Sequence, residues 1–462
     1  MRHFFAGSLL IWAAACAPRG EAPLRLHALF SDHMVLQQGR NVPVWGWAAP
    51  GTRVTLQPDW GAAVVVRADD NGRWTAWIDT PEAGGPATLT VSTRDTSVTV
   101  RDIRFGEVWL ASGQSNMEMP LAGWLPDNPI DRSAEEIATA AYPEIRMFTV
   151  ARAHSDAREA DVSGRWTVFA PDSVAWLSAT AYFFAKDLHA ALDVPVGVIQ
   201  SSWGGTPAEA WVAAEELSSF TFPAADVPQS RPSALFNGMI APLMPFAIQG
   251  VIWYQGESNV GHGKQYETLF PTLIRNWRAE WSRPELPFYY VQIAPFKYGE
   301  GEPSPAAELR EAQRLTLSLP HTGMVVTTDI GDPDNIHPSN KHDVGGRLAL
   351  WAMAESYGKD VVHSGPLADD AEFTDQIVVI RFKHTGSGLV AKGGPLTDFE
   401  LAGADGVFHP AQAVIIGETV VVRSAAVTQP VSVRFGWREA ARPNLFNKEG
   451  LPASGFILGN PS

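Results

Sequence analysis

Cysteine occurs once in the 462 residues, at Cys16. A single thiol excludes an intrachain disulfide framework and any cysteine-based zinc site. Basic residues are also scarce: 35 lysines and arginines face 50 aspartates and glutamates, a formal net charge of −15. Such a surface repels phosphate backbones, and no lysine- or arginine-rich block offsets it, so no nucleic-acid partner is expected. Metal and redox motifs are missing, and neither a metal nor an organic cofactor is expected. Beyond the N-terminus no apolar run is long enough for a transmembrane span.

What is present is a chain too long for one ordinary domain; its length suggests about three. The 40 glycines, 35 prolines and 17 tryptophans suit short strands and turns, with tryptophan also available for sugar faces. Residues 1–22 read as an export signal: Arg2 and His3 precede the short apolar run FFAGSLLIWAAAC, residues 4–16. Cys16 stands where a bacterial lipoprotein carries its lipid anchor, although Ala13 replaces the usual leucine three residues earlier. Lipidation at Cys16 and plain cleavage after Ala15 or Ala17 both remain open. Either way an exported protein is expected, periplasmic or a lipoprotein of the outer membrane or cell surface.

Residues 23–103 alternate in short apolar runs broken by turn residues, and a small β-sandwich is expected. Asp70-Asn71-Gly72 is the strongest hairpin signal there. Over 104–358 the pattern changes to strand–helix alternation, which predicts a doubly wound α/β domain on a parallel sheet. Strands are predicted at Glu107–Ser112, Val196–Ser201, Gly250–Tyr254, Phe288–Ile293 and Gly323–Thr328. Helices are predicted over 265–281, where Pro271 marks a start or kink, and over 341–357, stopped by Gly358. Residues 359–462 return to short strands, a C-terminal β domain.

In an open parallel sheet, ligands bind outside the carboxyl ends of the strands. Four of the five predicted strands end in polar, Gly-rich loops: Gly113-Gln114-Ser115-Asn116, Ser202-Trp203-Gly204-Gly205-Thr206, Gln255-Gly256-Glu257-Ser258-Asn259, and Asp329 through Pro338. Their contents match a serine esterase. Ser115 is the candidate nucleophile, His337 its base and Asp334, three residues earlier, the orienting acid. Either Asp332 as the acid, or a Ser–His dyad, stays open. The Ser115 and Gly205 amides, with a side-chain amide from Gln255 or Asn259, are candidates for an oxyanion hole. Gln114, Asn116, Trp203 and Glu257 are candidate substrate contacts, and Trp124, Trp253 and Tyr254 candidate sugar-stacking rings. For Trp253 a place in the strand core is the stronger expectation. Met117 stands where the nucleophile elbow of the α/β-hydrolases needs its second glycine.

GEVWLASGQSNMEMPL, GVIQSSWGGTPAEAW, GVIWYQGESN and DIGDPDNIHPSNK together resemble the sialate O-acetylesterase family of SGNH (GDSL-like) hydrolases. LFSDHMVLQQ, 29–38, and NLFNKEGLPASGF, 444–456, resemble its terminal regions. The resemblance implies an SGNH-type α/β domain flanked by β domains, and an acetylated carbohydrate as substrate. It implies Ser115 as nucleophile, His337 as base, and Gly205 with an amide of the 255–259 loop as oxyanion donors. Two other readings are a glycoside hydrolase using Glu257, for which the motifs offer no partner carboxylate, and a non-catalytic carbohydrate-binding protein. Acetate release separates the first from both.

Overall fold

The computed structural model describes residues 23–299 and 304–459. The export segment and Cys16 lie outside the described residues. No helix among the described residues is long and apolar enough to cross a membrane.

The central sheet is assembled from β1 (Ser97–Gly113), β2 (Tyr142–Val150), β3 (Gly164–Phe169), β4 (Val196–Ser202), β5 (Gly250–Tyr254), β6 (Phe288–Val291) and β7 (Thr322–Val325). Their spatial order is β3-β2-β4-β1-β5-β6-β7. Six of them pair in parallel, and β3 adds an antiparallel edge against β2. The sheet is therefore mixed rather than purely parallel. Its second antiparallel part comes from β1 itself, a 17-residue strand. The first half of β1 pairs antiparallel with Gly84–Ser92, and its second half runs parallel to β4 and β5. One strand thus belongs to both the N-terminal β layer and the α/β sheet, passing through residue 104 without a break.

Alternation along β1 explains how both faces are covered. Val108 and Leu110 join one apolar cluster, Trp109 and Ala111 the other. On the Trp109 face lie α1 (Ala179–Leu192) and α4 (Lys341–Trp351). On the opposite face lie α2 (Gly263–Glu280) and α3 (Pro305–Leu315). α2 buries Tyr266, Leu269, Phe270, Leu273, Ile274 and Trp277, the face expected from its period, and runs through Pro271 without a break. α4 passes into a wider turn, Ala352–Ser356, before Gly358 at φ 63° ends the run.

The N-terminal segment makes a turn where a hairpin is expected. Asp69–Arg73 is a tight turn, with Gly72 at φ 78°, but it makes no hairpin. Val64–Arg67 pairs with Arg53–Pro58, whereas Arg73–Asp79 pairs with Asn41–Trp47, so the flanking strands part into two sheets. The VLQQ run serves the α/β junction: Gln37 accepts from the Val108 N–H, and Gln37 and Gln38 both donate to the Glu107 carboxylate (3.0 and 2.7 Å). The C-terminal segment forms β sheets over 367–459, anchored where Gln292 at the end of β6 donates to Ser454 Oγ at 3.0 Å.

Candidate active site

β1 sits at the switch point of the sheet. The chain leaves it toward β2 and β4 on one side, then crosses to β5 on the other. The crevice at such a point opens outside the strand ends. Gly113 closes β1 at φ 136°, and a Cβ there would stand 2.1 Å from the Tyr254 carbonyl oxygen, so only glycine lets β1 and β5 end this close. Gln114 N–H donates to that same carbonyl at 2.9 Å, and the chain folds at once into a single turn, Ser115–Glu118. Ser115 is half-buried at the head of the turn, with Gln114 and Asn116 buried on either side.

The loop after β4 is pinned to this turn. Gly204 N–H donates to Glu118 Oε2 at 2.8 Å, and Glu118 Oε1 accepts from Arg152 Nε at 2.7 Å. A Cβ at Gly204 would stand 3.2 Å from Ser115 Cβ. Gly205 follows at φ 73°, its missing side chain facing open space. Among the described residues, no group accepts from the Ser115 or Gly205 N–H. Two unengaged amides, one on the serine itself and one on the loop pinned to its turn, are of the kind that receives a developing oxyanion.

The side chains expected from the 255–259 loop are engaged elsewhere. Gln255 Nε2 donates to Asn259 Oδ1 (2.6 Å) and the Thr206 carbonyl (3.3 Å), while Tyr266 donates to its Oε1. Asn259 Nδ2 donates to Glu209 at 3.0 Å. Gln114 faces the same loop, accepting from the Gly256 and Ser258 N–H groups. These three amides brace the loops against one another from within.

The loop after β7 carries Asp329, gripped by Nη1 and Nη2 of Arg347 in α4 at 2.8 and 2.6 Å. It ends at Asn340, which caps α4 by accepting from the Asp343 N–H at 3.0 Å. His337 lies between them, its backbone N–H donating to Asn335 Oδ1 at 2.9 Å. Its imidazole meets Trp124 edge to face at 5.0 Å. The structure does not bring Asp334 to that ring: its carboxylate is 77% exposed and pairs with Lys297 at 2.5 Å. Asp332 instead accepts from the Asp334 N–H at 2.9 Å. Among the described residues, no carboxylate contacts the His337 ring. Burial, then the nearby Lys341 ammonium, pushes the His337 pKa down to about 4.

Sequence reasoning missed Lys341, which together with Asn116 ties these loops. Asn116, fully buried, donates to Glu257 Oε1 at 2.6 Å and to the Ile336 carbonyl at 3.0 Å. Its own Oδ1 accepts from Lys341 Nζ at 2.6 Å, and Lys341 also donates to the Pro338 carbonyl at 2.9 Å. Desolvation lowers the Lys341 pKa to about 7 against the pull of Glu257, and burial raises that of Glu257. Asn116 and Glu257, expected at the substrate, are thus buried and bonded to one another. Tyr254 is fully buried beside Lys341 Nζ (5.6 Å), and Trp253 is core on the other face. Trp203 is half-buried beside Arg152 and His154. No cluster of three or more His, Cys, Asp or Glu suited to a metal ion occurs among the described residues.

Comparison with known proteins is consistent with this geometry. Residues 105–354 match the family model for carbohydrate esterases described as sialic acid-specific acetylesterase. The sialate O-acetylesterase of Homo sapiens is 31% identical over 409 residues, covering 79% of this chain and 76% of its own. That of Mus musculus is 28% identical over 439 residues, covering 79% and 80%. The crystal structure of a carbohydrate acetylesterase from Xanthomonas citri superposes with a TM-score of 0.89 at 41% identity, covering 95% of this chain and all of that one.

Proposed function

Given that the chain belongs to the sialic acid-specific acetylesterase family of carbohydrate esterases and is a carbohydrate O-acetylesterase, a carboxylic ester hydrolase, we propose that Ser115 and His337 carry the reaction as a nucleophile–base pair. Ser115 Oγ attacks the acetyl carbonyl while His337 takes its proton. The Ser115 and Gly205 amides receive the oxyanion. The sugar hydroxyl leaves with the proton from His337, and an acetyl-Ser115 ester remains. Water then attacks this ester with His337 again as base, and His337 returns that proton to Ser115 Oγ as acetate departs. The low pKa keeps the free imidazole neutral and able to accept the proton. Burial penalises the imidazolium most when it stands alone, and during attack it forms opposite the new oxyanion.

The observation that carries this reading is the stitching of three strand-end loops around Ser115 through Glu118–Gly204 and Asn116–Ile336. Asp334 stands outside the pair, because its carboxylate faces Lys297 and solvent. Trp124 and Trp203 are the two half-buried rings at the crevice and the candidates for stacking on a sugar. We read residues 104–358 as an SGNH-type hydrolase domain between β domains 23–103 and 359–462. Residues 1–22 are an export signal in this reading, with a lipid anchor at Cys16 or cleavage beside it, which mass spectrometry of the mature N-terminus distinguishes. The deciding experiment is acetate release across a panel of acetylated sialic acid, xylan and pectic sugars. Wild type should release acetate from at least one, and Ser115→Ala and His337→Ala from none.

A further inference from the structure

Lys341 stands at a position that ordinary helix physics disfavours. It is the first residue of α4, where the helix dipole repels a cation. It is also buried, with 1% of its surface exposed, and a lone ammonium in such a place is costly. Surface solvation therefore does not explain it. What the position offers is two acceptors from two different loops. One is Asn116 Oδ1 (2.6 Å), on the residue after Ser115; the other is the Pro338 carbonyl (2.9 Å), on the residue after His337.

We propose that Lys341 is a positioning residue that locks the loop bearing His337 onto the turn bearing Ser115. The lock passes through a saturated amide. Asn116 Oδ1 accepts from Lys341, and its two N–H groups reach Glu257 Oε1 and the Ile336 carbonyl. Peptide groups on both sides of His337 are thereby fixed to the residue beside the nucleophile. This does for the base what an orienting carboxylate does in a triad, through the backbone rather than the ring. The inference rests on the reading of Ser115 and His337 as the reacting pair.

A charge consequence follows. The Lys341 ammonium is one of the two causes that hold His337 down. The facing groups are few: Glu257 opposes Lys341, the Tyr254 ring lies beside it, and Tyr254 and Tyr298 feel Glu257. Asp334, on the loop of His337, is directed to Lys297. The next residue, His342, pairs with Asp343. With a pKa of about 7, Lys341 is charged throughout the range in which His337 titrates. Removing that charge must raise the His337 pKa.

The test is a double-mutant cycle on an acetyl ester with Lys341→Met, Asn116→Leu and the pair, with full pH profiles. Lys341→Met should lower kcat by up to about 100-fold, the scale of a misplaced catalytic group, with KM little changed. The acid limb of kcat/KM should move upward in pH. The double variant should be no slower than the slower single variant, because both cut one lock. An unchanged kcat, a fixed acid limb, or losses that multiply would overturn the proposal. If Lys341→Met does not fold by circular dichroism, Lys341→Gln, which removes the charge and keeps a donor, should move the acid limb upward in the same way while losing less kcat, and a fixed acid limb in it would equally overturn the proposal. His337→Ala run alongside separates the two claims. Activity surviving in it refutes the base assignment itself, whereas a dead His337→Ala beside an unaffected Lys341 variant refutes only the lock.

Discussion

The two loops that carry the proposed nucleophile and base are held by different physics. Ser115 follows directly from β1, the central strand, with Gly113 and the Tyr254 carbonyl fixing the exit and one helical turn fixing the side chain. His337 follows β7, the last strand of the sheet, by a loop of more than ten residues. That loop's own turns, the Asn335 N–H on the Asp332 carbonyl among them, shape it locally without tying it to the serine. Asn116, Lys341 and the Arg347–Asp329 pair hold it from outside. A nucleophile can be placed by local geometry, whereas a base on a long loop needs tertiary anchors.

Breaking the local side should cost most. Ser115→Ala should lower kcat by about 10⁴-fold or more, as loss of a nucleophile does, with a melting temperature close to wild type. Retention of a tenth of the activity would remove Ser115 from the chemistry. Gly204→Ala comes next, because its Cβ would crowd Ser115 Cβ at 3.2 Å and Glu118 Oε2 at 3.1 Å. A loss on the order of 100-fold in kcat is expected from such a displacement. Gly205→Ala meets open space and instead strains a φ of 73°, a cost of about 1–2 kcal/mol. Thermal melts and kcat of the two alanine variants test whether crowding outweighs strain at the nucleophile.

The loop side is sharpened by pH. A base with a pKa of about 4 stays neutral well into acid, so kcat/KM should fall only as pH drops through about 4. At pH 5 this gives roughly 30-fold more neutral imidazole than an unperturbed histidine of pKa about 6.5. An acid limb near 6.5 would mean that His337 works solvated, without the burial seen here. The smallest effect should come from Asp334→Asn. With its carboxylate on Lys297, the change should alter kcat by less than about threefold, the scale of a surface ion pair. A tenfold loss with a lowered base pKa would show that Asp334 turns to the ring during catalysis.

Particular residues show how far the sequence could be read. β1, β4 and β5 were legible because strands buried on both faces are continuous apolar runs. β2 was not, because Glu144 and Arg146 interrupt its run. Arg146 is nevertheless buried, its guanidinium satisfied by Asp102 and the Pro143 carbonyl. The Asp-Asn-Gly turn was legible, but the destination of its flanking strands was not, since a turn says nothing about which sheet each strand joins. Ser115, Gly205 and His337 became candidates because strand ends mark the crevice. The amides of Gln255 and Asn259 were expected to face it, and side-chain direction within an irregular loop has no period to read. Lys341 carried one faint signal, a cation at the first position of a helix.

Local chemistry along the chain therefore determined the strand ends, the glycines that let them close, and the residue types delivered there, because each depends only on neighbours in sequence. The tertiary structure decided which polar side chains face the crevice and which brace it from behind. It also decided that the carboxylate near His337 answers Lys297, and that a lysine and an asparagine 225 residues apart share a hydrogen bond. Those outcomes turn on desolvation and on which acceptors packing leaves unfilled, quantities that exist only once distant segments have met.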